Sequence, residues 1–551
     1  MLKRYFQKDA LACAAYLFCV PLSCFASVAF ALSIQPVLDT ILNMNTALFI
    51  RVSVVFAGWG LADIGLLLAT QQLALRLVKN SKIALKEDLF SAVLRMPYQA
   101  YRAQSKEPLS ILTNDTESIA NNYFSSLLSL YRIFWSFAFS LLTTVQLSPL
   151  ITAVVIAVGI VSVWIPRLLG RKIDRMQLTL SEEKERYSKA VQDSLAGLTT
   201  IKTTRTERFF VNRHQQRTLA VEGLAYRIDS NLYLASWFSG LCSSAAYIST
   251  LILGGWLAMQ GRMTAGLVVS ISQLIGGVVA PLEQVPALMT RMRSVRSVYQ
   301  KCCALLGGAA AKPFVRGSQD SLNCHEVTFH YPGTHNGIES FSYTFAPGKK
   351  YLLTGASGGG KSTIGQLIAG LYGCETGTVE YPRSLRSETG VLYVTQQAHV
   401  FQDTLRNNLA LGDDYSDAEI IEALRQCCLA DFLAKLPNGL DEVLLDRYAC
   451  SGGEAARLGL ARAILRKPQV LICDEITAHL DAQTARQIDR LLTSLPGVLL
   501  LNIAHKISKA EMDRYDEILC LENSRLVEGG PPSAILQNKG AFYRSYYLAN
   551  S

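Results

Sequence analysis

The chain has 551 residues, 50% of them hydrophobic and 18% charged, with a formal net charge of +9 and 13 cysteines. That length allows two or three domains, and the apolar share is high for a soluble protein. Residues 1–320 carry 32 Lys and Arg against 18 Asp and Glu, and the remainder 21 against 26, so the two halves face different surroundings. A basic, apolar half points to the inner face of a membrane, and the absence of a basic arm or base-stacking platform argues against nucleic acid. The cysteines fall in apolar runs and in adjacent pairs such as Cys302 with Cys303 and Cys427 with Cys428. That pattern suits reduced thiols and offers no metal-ligand spacing.

Six apolar stretches long enough to cross about 30 Å of hydrocarbon recur along the first half. They lie at about 11–34, 46–75, 121–146, 150–170, 233–259 and 265–290. A basic start before the first resembles a signal peptide, but its length and the five further spans favour a retained helix. With that span starting so early, no N-terminal peptidase domain is expected. The connections 35–45, 147–149 and 260–266 hold a single Arg between them, whereas 76–120 and 171–232 are long and rich in Lys and Arg. By the positive-inside rule both termini and both long connections are cytoplasmic. The long connections read as helices continuing the spans, because apolar residues recur at spacings of three and four. Asp63, Arg132 and Glu283 are ionisable residues within spans. Each is a candidate for contact with a transported substrate, with mutual neutralisation of Asp63 and Arg132, or snorkelling of Arg132, as the structural alternative.

The Gly/Ala-rich stretch near 306–320 reads as a linker. Residues 1–305 are therefore assigned to a membrane domain, and 321–551 to a cytoplasmic one. In YLLTGASGGGKSTIGQLIAGL an apolar strand leads through Gly355, Ala356, Ser357, Gly358, Gly359, Gly360, Lys361 and Ser362 into an apolar helix beginning near Thr363. This is the strand, loop and helix context of a phosphate-binding loop. Its glycines let backbone N–H groups converge on phosphate oxygens, Lys361 adds a charge, and the Ser362 hydroxyl suits Mg2+. Downstream, PQVLICDEITAHLD ends an apolar strand with Asp474 and Glu475, where one carboxylate can bind Mg2+ through water and its neighbour can polarise an attacking water. The stretch CSGGE places Ser451, Gly452 and Gly453 at a helix start, an anion site with free N–H groups and a positive dipole end.

These motifs, in this order, resemble the ATP-binding cassette (ABC) transporters, and specifically half-transporters in which an exporter-type membrane domain precedes the ATPase. The resemblance covers essentially the whole chain. It implies a polytopic α-helical membrane domain of six transmembrane helices and a cytoplasmic α/β P-loop ATPase domain with a helical subdomain. It further implies that Tyr331 stacks on adenine, that Gln396 links the Mg2+ site to the membrane domain, and that Glu475 is the catalytic base. Ser451, Gly452 and Gly453 match the signature, Asp481 the D-loop, and His505 the switch histidine that contacts the γ-phosphate. In the family two ATPase domains face head to tail, so ATP on one phosphate loop meets the signature of the other. A second half-transporter is then required, as homodimer or heterodimer, and ATP with Mg2+ drives alternating access. Short transverse helices touch the ATPase surface in the family, and residues 113–120 and 192–202 occupy the matching places.

Departures from the pattern are Cys450 and Glu454 in the signature, Ala478 and His479 before Asp481, and the absence of a Gly-Glu-Arg-Gly run just upstream. Glu454 suits the first helical turn because a carboxylate there favours the dipole. Export of a small molecule, lipid or peptide from a bacterial cytoplasm is the leading expectation. Import of a metal chelate such as a siderophore uses the same fold, and an ATP-gated channel or regulatory subunit is an alternative of another class. Six spans argue against a soluble chromosome or repair ATPase.

Overall fold

The computed structural model describes residues 3–103, 107–307, 314–334, 336–385, 387–445, 450–504 and 509–544. The chain divides into two compact units, Met1–Leu94 with Lys106–Gly308, and Arg95–Ser105 with Ala309–Ser551.

Among the described residues the elements of the first unit are all helices. Five of its helices, Ala10–Leu42, Thr46–Arg95, Pro108–Leu147, Glu207–Met259 and Ala265–Ser294, are long and apolar enough to cross a membrane. Another helix, Pro149–Ala196, covers the 150–170 expected and is apolar over Pro149–Ser162. The span at 46–75 and its polar continuation form one unbroken helix of 50 residues, and 233–259 likewise continues Glu207–Met259. Helix Glu207–Met259 packs along Pro149–Ala196, while Ala265–Ser294 lies against Ala10–Leu42 and Ser125–Leu147. Small residues set these approaches, since a Cβ added at Gly254 would lie 2.6 Å from Val268 and one at Gly277 2.1 Å from Ser140 Oγ. Such close seams favour helix association in lipid.

Two expected connections fold differently. The stretch 35–45 remains helical through Leu42, because Asp39 anchors its last turns by accepting from Thr264 Oγ1 (2.8 Å) and from the Gly266 N–H (3.2 Å). The sequence TNDTESIA (113–120) forms no short transverse helix. It lies inside the continuous helix Pro108–Leu147, which carries π-helical turns at Ile111–Asp115 and Ala120–Phe124. The isolated short helix is Tyr98–Ala103 instead. Pro97 and Pro108 flank it, and proline biases the residue before it away from helical geometry, whereas 113–120 contains neither proline nor glycine. In the second long connection the helix ends at Ala196 and a seven-residue helix follows at Leu198–Thr204, close to the expected 192–202.

Of the three ionisable span residues, Glu283 accepts from Ser243 Oγ at 2.7 Å and so ties two helices together. Among the described residues no ion pair joins Asp63 to Arg132, so the structural alternative of mutual neutralisation is not realised.

The second unit contains two sheets. The strands are β1 (Val315–Arg316), β2 (Leu322–His330), β3 (Gly337–Phe345), β4 (Lys350–Gly355), β5 (Thr376–Tyr381), β6 (Val391–Val394), β7 (Val470–Asp474), β8 (Leu499–Ile503), β9 (Glu517–Glu522) and β10 (Arg525–Gly530). The smaller sheet has the order β1-β5-β2-β3 and the larger β10-β9-β4-β8-β7-β6. In the larger sheet β9, β4, β8, β7 and β6 run parallel, and β10 closes one edge antiparallel. Strands β4, β7 and β8 are buried along their whole length, which is why they read as continuous apolar runs. A helical layer includes Asp417–Gln426 and Gly452–Leu465, which pack on each other. In such sheets ligands gather outside the carboxyl ends of the parallel strands.

Candidate nucleotide site

Gly355 ends β4, and the loop from Gly355 leads into the helix Lys361–Ile368. The turn needs glycine at two points. Gly355 has φ +141° and a Cβ there would sit 2.1 Å from the Leu521 carbonyl, while Gly360 has φ +90° and a Cβ 2.6 Å from the Gly337 carbonyl. Lys361 is 4% exposed and its Nζ donates to the carbonyls of Gly355 (3.1 Å) and Ala356 (2.9 Å). Burial lowers its pKa, and the charges of Glu475 and Asp474 oppose that shift. Thr363 and Gln366 lie further along the same helix. Ala356, Ser357, Gly358 and Gly359 form the intervening loop, with the Gly359 N–H donating to the Ala356 carbonyl at 3.1 Å.

Asp474 closes β7, its register partner on β8 being Ile503. Its Oδ1 accepts from Ser362 Oγ at 3.1 Å and its Oδ2 from the Tyr393 hydroxyl at 2.5 Å. Glu475 follows with φ +51°, a left-handed conformation uncommon for a side-chain-bearing residue. Its N–H is fixed by the Ile503 carbonyl at 3.0 Å. A carboxylate, a hydroxyl and a lysine are thus assembled within one loop and two strand ends.

Tyr331 follows β2. Its ring lies edge-on to Phe329 and to Tyr372, at centroid distances of 5.2 Å and 5.6 Å. Its hydroxyl donates to Gln366 Oε1 (2.9 Å) and lies 3.3 Å from Thr363 Oγ1. Tyr372 also meets Tyr98 of the short helix at 5.6 Å. Gln396 lies in a bend two residues beyond β6. His505 lies outside the described residues.

Ser451 caps the helix Gly452–Leu465 in a reciprocal capping box. The Glu454 N–H donates to Ser451 Oγ (3.2 Å), and the Glu454 carboxylate accepts from the Ser451 N–H (2.7 Å). Gly453 is pressed against the segment before Asp481, since a Cβ there would lie 2.7 Å from Leu480 and 3.2 Å from the His479 carbonyl. Asp481 caps the next helix by accepting from the N–H groups of Gln483 (3.0 Å) and Thr484 (2.9 Å). These bonds, led by that from Thr484, hold its carboxyl below the usual range.

The structure therefore brings Lys361, Ser362, Asp474 and Glu475 together, with Tyr331 against Thr363 and Gln366 of the same helix. Sequence reasoning missed Tyr393, Gln366 and Tyr372, which join these groups. The available signal was a tyrosine three residues before Gln396 in an otherwise apolar strand.

A phosphate loop with these partners, carried on a parallel sheet and preceded by long apolar helices, defines a membrane-bound P-loop ATPase. The sequence matches known families in both halves: the ABC transporter transmembrane region over residues 13–282 and the ABC transporter family over residues 338–478. An uncharacterized ABC transporter ATP-binding protein of Sinorhizobium fredii is 30% identical over 91% of this chain and 87% of its own length. An ATP-dependent lipid A-core flippase of Yersinia pestis is 28% identical over 83% and 81%. The solved structure of a bacterial Atm1-family ABC exporter with ATP bound superposes with a TM-score of 0.83 at 21% identity, covering 98% of this chain and 99% of that one. The chain belongs to the ABC transporter family, and it couples ATP binding and hydrolysis to transport across a membrane.

Proposed function

We propose that this chain is one half of a dimeric exporter that moves a small molecule, lipid or peptide out of a bacterial cytoplasm by alternating access, with both termini in the cytoplasm. The observation that carries the ATPase reading is the buried Lys361 ammonium held at the loop carbonyls beside the Ser362–Asp474 pair. In this reading Gly355 to Thr363 cradle the phosphates and Tyr331 stacks on adenine. The hydroxyl of Ser362, the carboxylate of Asp474 and the amide of Gln396 are hard oxygen donors of the kind Mg2+ takes, so the residues present fit that ion, Asp474 acting through water. When bound, Mg2+ neutralises phosphate charge. Glu475 then orients and deprotonates the attacking water, and His505 contacts the γ-phosphate.

The dimer reading follows from the signature. The hydrogen bonds of Ser451 stay within its own helix, and among the described residues it shares none with the phosphate loop of the same chain. In this reading Ser451, Gly452 and Gly453 receive the γ-phosphate of ATP held by a second chain, and Asp481 lies alongside. The lipid A-core flippases among the relatives support export and a lipid-like cargo as the first to test. Nothing favours import.

Complementation between two inactive variants tests the arrangement. Lys361→Ala and Ser451→Ala are each expected to abolish turnover alone. Mixed dimers would hold one composite site with an intact lysine and an intact signature, so mixing should restore activity. No recovery would overturn the head-to-tail reading. Turnover by the wild-type chain alone marks a homodimer, and turnover only after a second half-transporter is added marks a heterodimer. Glu475→Gln should cost about 10²–10⁴-fold in hydrolysis and abolish uphill flux. Flux that survives without hydrolysis would support a gated channel instead.

A further inference from the structure

Tyr393 stands in β6 opposite Ile472 of β7, and Asp474 lies two residues beyond Ile472. Residues two apart on a strand share a face, so a long side chain at 393 reaches Asp474 along the diagonal. Its ring is held between the sheet and the phosphate-loop helix, where a Cβ at Gly365 would come within 2.9 Å of Tyr393 Cε2 and 3.1 Å of Ile472 Cγ2. The missing Cβ lets the helix sit directly on the ring. From there the hydroxyl donates to Asp474 Oδ2 at 2.5 Å, and Gln366 stands beside it. Gln366 Oε1 in turn accepts from the Tyr331 hydroxyl at 2.9 Å.

We propose that Tyr393 is a positioning residue for the metal end of the nucleotide site, fixing one oxygen of Asp474, and that Gln366 carries the same hydrogen-bonded chain to Tyr331 at the base end. The proposal rests on the reading that Ser362 and Asp474 hold the divalent cation and Tyr331 the adenine. Asp474 has two oxygens and two hydroxyl partners. With Oδ2 held by Tyr393, Oδ1 faces Ser362 Oγ at 3.1 Å, and this pair is left to meet a cation with the carboxylate already oriented. Without the tyrosine hydroxyl, Asp474, only 9% exposed, keeps Ser362 alone as a side-chain donor and can rotate. The chain also gives the adenine platform and the metal pair a shared geometry along the inner face of one helix.

The test uses the full-length chain in lipid nanodiscs with Mn2+ as probe. Mn2+ affinity is read by electron paramagnetic resonance in the presence of ATP, and ATP affinity separately in EDTA. Tyr393→Phe keeps the ring and removes the hydroxyl. A hydrogen bond to a charged group is worth enough to weaken Mn2+ binding about tenfold, while ATP binding in EDTA should stay within about twofold. Gln366→Leu should weaken Mn2+ binding by a smaller factor, and adding it to Tyr393→Phe should cost less than the product of the two, as expected for members of one network. Unchanged Mn2+ affinity in Tyr393→Phe overturns the proposal. So does an equal loss of metal-dependent and metal-free binding, the mark of a merely structural role. Asp474→Ala with wild-type Mn2+ affinity would instead overturn the assignment of the metal end itself.

Discussion

Glu454 stands in the signature where a carboxylate meets the helix end proposed to receive phosphate, and Glu454→Gln separates its two effects. The carboxylate accepts from the Ser451 N–H at 2.7 Å, a charge-assisted bond at the positive end of the helix Gly452–Leu465. Glutamine keeps an acceptor in place but loses the charge. The difference between charged and neutral hydrogen bonds, added to the dipole term, amounts to about 1 kcal/mol. The thermal midpoint without nucleotide should fall accordingly. Once a second chain presents ATP, the same carboxylate repels the γ-phosphate. At about 8 Å and an effective dielectric of about 40, each pair of unit charges costs roughly 1 kcal/mol. Relieving it should tighten ATP-driven pairing about fivefold or more. The assay is the ATP concentration for half-maximal closure, measured in a Glu475→Gln background so that hydrolysis does not reset the dimer. A lower midpoint of stability together with a tighter ATP response is the expected signature. If pairing is unchanged or weakened, Glu454 serves only as a helix cap and the phosphate does not reach this helix end.

Gly355→Ala forces a Cβ to 2.1 Å from the Leu521 carbonyl at φ +141°. Relaxing that geometry costs about 1–3 kcal/mol and shifts the loop carbonyls that hold Lys361, so ATP binding measured in EDTA should weaken at least about tenfold; wild-type affinity would refute the cradle geometry. Asp489 offers a pH test away from the nucleotide. Burial raises its carboxyl above the usual range, offset in part by the Tyr515 hydroxyl, with Glu511 raising it further and Arg514 lowering it. A raised acid is most favourable to folding when protonated, so its contribution is present below the unfolded value of about 3.9 and lost as pH rises through the folded one. Asp489→Asn should therefore melt higher than wild type near neutrality, with the difference closing as pH falls toward about 4; a variant that melts lower at neutral pH would refute the sign.

What the sequence made legible was chemistry written in consecutive residues. The glycines of 355–360, the acid pair at 474–475 and the serine and glycines at 451–453 each specify a turn or a helix end that forms from local backbone geometry alone. The long apolar helices were legible for the same reason. What it hid depended on two segments meeting. Tyr393 reads as one more aromatic in a buried strand until the β6–β7 register sets it diagonal to Asp474, and Gln366 reads as a polar residue on an amphipathic helix until Gly365 lets that helix settle on the ring. The short helix lies at Tyr98–Ala103 and not at 113–120, because Pro97 and Pro108 cut the chain on either side of it. Its Tyr98 reaches Tyr372, whose ring meets Tyr331. The group proposed to sense adenine is therefore bounded on one side by a segment from the N-terminal half of the sequence and on the other by its hydrogen bond to Gln366, which stands beside Tyr393. Both connections run through side chains that no consecutive motif contains. Variation at Tyr98, Tyr372, Gln366 and Tyr393 should therefore alter how nucleotide occupancy is sensed while leaving every recognisable motif intact.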